Sequence, residues 1–203
     1  MSGPLDLLDY RRRVRDLYAE VRALAENDVG AAYARWRAVR EELFGGHPQS
    51  ALDPSGRARF RGLCYFDYDE RFRFAAPVRT ADIVDERWEV PTSDGAALAM
   101  RRIGAVELPP GRLEVFWSEV YGCGLFVPFR DGTSGNETYG GRRYLLDTAK
   151  GADLGSTEDG RLILDFNFAY HPSCHYDPRW SCPLAPRGNW LAERIEAGER
   201  SYQ

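Results

Sequence analysis

Apolar residues near the N-terminus recur at three- and four-residue steps. Leu7, Tyr10, Val14, Leu17, Tyr18, Val21 and Leu24 fall on one side of a helix. Arg11, Arg12, Arg15, Glu20 and Glu26 take the opposite side, which reads as a solvated face rather than an anion-binding patch. Asn27-Asp28 supplies a stop and a new N-cap. A second helix carries Tyr33, Trp36, Val39, Arg40 and Leu43, ends at Gly45-Gly46, and is kept from resuming by Pro48. The period then drops to two. Arg71-Phe72-Arg73-Phe74 alternates, as do residues 84–90, and Ser93-Asp94-Gly95 marks a hairpin turn. Residues 97–106, 112–121, 125–130, 143–148 and 162–169 complete a set of strands joined by short turns.

Strands close in sequence favour an antiparallel meander, curled into a barrel or a sandwich. The expected class is α+β, with two N-terminal helices and mainly antiparallel strands. A helical segment over 1–46 precedes a β domain over 47–203, which ends in a Pro-rich loop wrapping the sheet from Tyr170 onward. Helices are expected only in about the first 45 residues, with a short terminal helix over 189–199.

Composition supports this picture. The chain of 203 residues is 43% hydrophobic, enough for a sizeable core, and its 13% aromatic content suits strands. A net charge of -4 gives no electrostatic footprint for nucleic acid. No apolar run reaches membrane-spanning length, and Met1-Ser2-Gly3-Pro4 leads into a charged helical pattern rather than a signal sequence. A cytoplasmic protein with four free thiols is therefore expected. Lys150 is the only lysine.

Several kinds of chemistry can be weighed on residue types. His171, Cys174, His175 and Cys182 are metal-ligand types, but their spacing matches no common zinc template, so neither metal nor cofactor is expected. Cys174 is a candidate nucleophile with His171 or His175 as base, while Cys64 and Cys123 sit among apolar strand residues and read as inert. No GxSxG elbow occurs, and Gly140-Gly141 beside Arg142-Arg143 lacks the rest of a phosphate loop. A polar pocket is the best reading. On 162–169 alternation puts Asp165 and Asn167 on one face of an otherwise apolar strand, where polar groups need partners. With Glu137, Tyr139, Arg143 and Tyr170 they are expected to converge on one site for a small polar or anionic molecule. The alternatives are a structural or protein-interaction domain in which these residues only hold the fold, and a cysteine-dependent enzyme. Whether the protein is an enzyme stays open, as does its oligomeric state.

Three stretches are more specific than β-protein composition. They are Arg59-Phe60-Arg61-Gly62-Leu63-Cys64-Tyr65-Phe66; the run from Leu125-Phe126-Val127-Pro128-Phe129 through Thr138-Tyr139-Gly140-Gly141; and Leu164-Asp165-Phe166-Asn167-Phe168-Ala169-Tyr170-His171-Pro172 continuing to Cys182-Pro183-Leu184. Together they resemble the bacterial family called domain of unknown function 1684, from about residue 30 to the C-terminus. The resemblance implies membership of a family without an established biochemical role. Arg142 stands where that family's pattern leads one to expect a third glycine. His171 and His175 stand where it leads one to expect Asn and a small residue. A mechanism resting on either histidine would therefore not be shared by the family.

Overall fold

The computed structural model describes residues 3–80, 86–119 and 122–201. Helix α1 (Pro4–Ala25) starts with proline at its first position, and the Asp6 carboxylate accepts the Gly3 N–H at 2.7 Å. Helix α2 (Val29–Gly46) is capped by Asp28, which accepts from the Ala31 N–H at 2.9 Å. A third helix, α3 (Pro54–Arg59), repeats the device, with Asp53 as cap and Pro54 at the first position. It corrects the expectation that helices stop near residue 45.

The α+β class with an antiparallel β core holds. Strands β3 (Glu86–Pro91), β4 (Ala97–Leu108), β5 (Gly111–Ser118), β6 (Gly124–Phe129) and β7 (Arg143–Asp147) follow one another as a five-stranded antiparallel meander, which curls into a half-barrel. The turns sit where the sequence puts them, at Ser93-Asp94-Gly95 and at Pro109-Pro110. Residues 84 and 85, expected to open the strand over 84–90, and residues 120 and 121 lie outside the described residues. Two short pairs flank the sheet: β2 (Arg73–Ala76) with β8 (Leu162–Asp165), and β1 (Cys64–Tyr65) with β9 (Glu199–Arg200).

Three expectations fail, each for a physical reason. The strand expected over 162–169 ends at Asp165, whose side chain accepts the Asn167 N–H at 3.0 Å and caps a single 3-10 turn over Phe166–Phe168. Alternation ends there. Phe166 enters the core under the sheet, and Phe168 enters the core under the helices. No helix forms over 189–199, because the backbone of Ile195 and Ala197 is taken up by the Asp131 and Arg143 side chains. Cys64 and Cys123 are exposed rather than buried among apolar strand residues, and Cys123 lies in a tight turn at φ 30.

The core has two main bodies. One lies inside the half-barrel, with Leu113, Val127, Phe129, Leu146 and Phe166, closed below by Leu191 and Ile195. The other lies between the helices and the loops after β7. There Trp36, fully buried, meets Phe168 edge-on at 5.4 Å, and its Nε1–H donates to the Tyr18 hydroxyl at 3.1 Å. The C-terminal segment crosses both. Gly198 makes that crossing possible: its φ is +78, and a Cβ there would stand 2.6 Å from the carbonyl oxygens of Phe166 and Ala169.

Gly198→Ala should therefore lower stability by about 1–3 kcal/mol from backbone strain, with contact strain added. Urea unfolding should show a reduced midpoint. An unchanged midpoint would mean that the segment has room to shift.

Candidate functional site

The polar residues expected to converge are distributed among separate networks. Arg143 is buried and pairs with Asp131 at 3.1 Å; it also donates to the carbonyls of Ile195, at 2.9 Å, and Ala197. Its guanidinium lies 4.9 Å from the centre of the Phe129 ring. Asp131 further accepts from the Ile195 N–H and from both the N–H and hydroxyl of Thr133. Asp165 instead meets Arg73 at 3.0 Å, the Tyr68 hydroxyl at 3.3 Å and the Asn167 amide at 2.8 Å. Burial raises the Asp165 pKa, and these hydrogen bonds pull it back. Asn167 completes itself on the backbone of Asp69, donating to its carbonyl and accepting from its N–H, each at 2.9 Å. Glu137 pairs at the surface with Arg194. The convergence fails because β8 pairs with β2 rather than with β7, so Asp165 and Arg143 belong to different sheets. The Gly140-Gly141-Arg142-Arg143 run offers no phosphate loop, since both arginines turn inward and are buried.

Tyr139 and Tyr170 go elsewhere, to two features that adjoin each other. The first is a cavity of about 110 Å³ between the helices and the sheet. Its walls include Tyr10 and Tyr18 from α1, Trp36 and Arg40 from α2, and Tyr144 and Tyr170 from the sheet side. Lys150 stands at its edge with an exposed side chain and meets Asp147 at 3.3 Å. Arg40 packs over the rings of Trp36 and Tyr170, at 4.9 and 5.1 Å, and is fixed by Glu199 at 2.7 Å. Glu199 is fully buried and also accepts from the Tyr176 hydroxyl and the His171 N–H. Burial pushes its pKa up, while Arg40 opposes the rise. Burial likewise raises Tyr18 to about 12 and holds Tyr170 well above the usual phenol range, so both stay neutral at physiological pH.

The second feature is a thiol centre behind the cavity. Cys174 lies on the 3-10 turn Ser173–His175, and Cys182 is buried and contributes to the cavity wall. Arg142 is fully buried, and its Nη2 donates to the Cys174 sulfur at 3.2 Å and to the Cys182 carbonyl at 2.8 Å. Among the described residues, its Nε and Nη1 have no partner, and no carboxylate lies within ion-pair distance of it. The Cys174 pKa drops to about 6, chiefly because the Cys182 thiol donates a hydrogen bond to it; burial opposes this, and Ser93, Arg142 and Tyr139 assist. Cys182 moves the other way.

The histidines do not supply the activating charge. Burial lowers His171 well below the usual range and His175 to about 4. His171 Nε2 accepts the Tyr139 N–H at 3.1 Å, which puts the ring proton on Nδ1. The two rings meet at a tilt of 52° with centroids 4.4 Å apart, and Tyr139 lies 4.8 Å from His175. Arg142 is the cation at the thiol. Among the described residues, no three His, Cys, Asp or Glu side chains gather as metal ligands. Nor is any helix long and apolar enough to cross a membrane.

A family model described as protein of unknown function DUF1684 matches residues 58–200. The chain belongs to the DUF1684 family. A solution NMR structure of an uncharacterized protein from Haloarcula marismortui is similar to it at 36% identity. That match covers 81% of this chain and 89% of that one, with a TM-score of 0.56. No curated protein matches the chain. The DUF1684 match contains the thiol centre and the Asp131–Arg143 pair, whereas α1 and α2, which supply one wall of the cavity, precede it.

Arg143→Ala should cost about 3–5 kcal/mol, because Asp131 would remain buried without its cation. Chemical denaturation should show that loss, while Glu137→Gln, which breaks a surface pair, should leave the midpoint almost unmoved. Equal effects would contradict the distinction between the two networks.

Proposed function

We propose that the protein is a small-molecule-binding domain whose site is the cavity between α1, α2 and the sheet. The observation that carries the proposal is an aromatic-walled void with a fixed guanidinium on one side and the only lysine at its edge. A void kept merely by imperfect packing would have apolar walls and stay dry. This one has cationic groups and neutral phenols that can donate hydrogen bonds, a combination suited to a small anion with a flat or apolar body. Its size limits the ligand: a cavity of about 150 Å³ is needed to hold benzene, so at about 110 Å³ short aliphatic carboxylates are the appropriate range. Of the residues read from sequence, Tyr170 is the one retained in this site. A polar pocket thus remains the reading, built from Arg40, Lys150 and tyrosines rather than from Arg143, Asp165 and Asn167.

The test is a thermal-shift series with formate, acetate and propionate. A ligand at about 100 times its Kd should stabilise the native state by roughly 2.7 kcal/mol. Lys150→Met should weaken the shift, and Ala152→Leu, which fills the cavity, should abolish it in a folded protein. If none of these anions shifts the wild type and Ala152→Leu simply raises the melting temperature, the cavity is a packing void and the proposal fails.

A further inference from the structure

A buried guanidinium without a carboxylate is costly, because its charge has left water and met no opposite charge. Arg142 is in that position among the described residues, with two of its nitrogens unpartnered. Of the groups beside it, the Cys174 sulfur, 3.2 Å from Nη2, can become an anion; the Cys182 carbonyl cannot, and burial holds the neighbouring Tyr144 phenol well above its ordinary range, so it stays neutral. The charge requirement of the core and the chemistry of the thiol therefore lead to the same state, a thiolate on Cys174. The same Nη2 that donates to the Cys174 sulfur at 3.2 Å donates to the Cys182 carbonyl at 2.8 Å, so one guanidinium nitrogen brings the two cysteines together, and the Cys182 thiol is pushed up beside its neighbour. Cys174 is half-buried and open to a reagent, whereas Cys182 is enclosed. This division suits an attacking thiol and a resolving thiol.

We infer that Cys174 and Cys182 form a redox-active dithiol centre, with Arg142 as the positioning cation, that exchanges two electrons with low-molecular-weight disulfides. In the first step the Cys174 thiolate attacks one sulfur of the disulfide. The S–S bond breaks, a mixed disulfide forms, and one thiolate leaves. In the second step Cys182 gives its proton to that leaving thiolate, and its sulfur attacks the sulfur of Cys174. The Cys174–Cys182 bond forms, and the second thiolate departs. The protein dithiol is oxidised by two electrons, and the external disulfide is reduced to one thiol and one thiolate, which takes its proton from water. Reduced thiol runs the sequence backwards. Oxidation also removes the anion next to Arg142 and leaves a buried cation alone. The centre is therefore an easily reduced, oxidising couple rather than a structural disulfide.

Several titratable groups surround Cys174. Arg142 and Tyr139 come from the loop before β7, Cys182 from the Pro-rich segment, and His175 from its own turn; the His171 ring packs at a tilt against His175. Both histidines are neutral at physiological pH, so the pH dependence of thiol reactivity belongs to the Cys174–Cys182 pair.

The experiment uses the full chain with Cys64→Ser and Cys123→Ser, which removes the two exposed thiols. Equilibration in oxidised and reduced glutathione, acid quenching and mass spectrometry should show a reversible internal link between Cys174 and Cys182. In this background Cys182→Ser should accumulate glutathione on Cys174, and Cys174→Ser should form neither product. Iodoacetamide labelling of Cys174 should titrate near pH 6. Arg142→Gln, or Arg142→Lys as the milder variant, separates the redox role from a structural one. With the cation removed by Gln, the labelling midpoint should rise part of the way towards that of a free cysteine, about 8.5, because the contribution of Cys182 remains, and the equilibrium at pH 7 should shift up to about tenfold towards the disulfide. With Lys both changes should be smaller. Absence of the internal link at every glutathione ratio overturns the inference. So does a labelling midpoint and redox equilibrium unchanged in a folded Arg142 variant.

Discussion

The arrangement of the molecule depends on the buried pair Asp131–Arg143. A buried ion pair is tolerated only when the remaining hydrogen-bonding capacity of both partners is used, since the desolvation cost otherwise exceeds the attraction. Here most of that capacity is directed to one stretch of backbone, with Thr133 taking up more of Asp131 and the Arg143 Nε left without a partner among the described residues. Arg143 donates to the carbonyls of Ile195 and Ala197, and Asp131 accepts the Ile195 N–H. The C-terminal segment is thereby held against the open side of the half-barrel, with Ile195 and Ala197 completing its core. Gly198 then lets the chain pass between the carbonyls of Phe166 and Ala169, and Glu199 arrives beneath α2 to meet Arg40. One pair in the sheet therefore sets the position of another in the helical layer, and through it one wall of the cavity.

Much of the architecture was legible because it rests on local rules. The helix caps at Asp28 and the turn at Ser93-Asp94-Gly95 are set by side chains or glycine within a few residues, and both stand where the sequence puts them. Asp53-Pro54 carries the same cap-and-proline signal as a helix start, and α3 could have been read from it. The candidate site was less legible because it rests on pairings between distant segments. Period-two alternation assigned Asp165 and Asn167 to a common face, but a side chain that captures its own backbone ends a strand without any hydrophobic signal. Choosing between β7 and β2 as the partner of β8 requires sheet topology, which composition does not contain. Tyr170 was identified as a site residue by its place in a specific stretch, yet its neighbours in the cavity, Arg40 and Tyr10, come from helices whose pattern reads only as core and solvent faces.

Arg142 shows the same limit in a sharper form. Beside Gly140-Gly141 it suggests an exposed basic loop, and a lone arginine in sequence gives no sign of being buried. The structure turns it inward to the Cys174 sulfur and the Cys182 carbonyl, more than thirty residues away. The position at which the sequence departs from the family's glycine pattern thus acquires a physical meaning. It introduces a fixed charge into a thiol pocket, and the neighbouring His171 and His175 are kept neutral by burial and cannot substitute for it.

These buried networks also give the interior a pH dependence opposite in sign to that of the surface. Glu199 and Asp165 have pKa values raised by burial. A carboxyl group raised in the folded state binds its proton more tightly there than in the unfolded chain. Its contribution to stability is fully present below the unfolded value, about 4, and is lost as pH rises through the folded one. Asp94 lies at the surface, where hydrogen bonds from the hydroxyls of Thr92 and Ser181 lower it to about 2. Its contribution is present above the unfolded value and lost as pH falls through about 2. Between these limits the two groups of carboxylates act against each other. At neutral pH the buried pair is tolerated rather than stabilising, because Arg40 and Arg73 offset the desolvation that raises their partners. Acid first releases that burden and only later removes the surface hydrogen bonds. The buried carboxylates are accordingly better understood as fixing where segments meet than as a source of net stability. Glu199 draws on α2, Tyr176 and His171 at once, and so determines the shape of the cavity beside it.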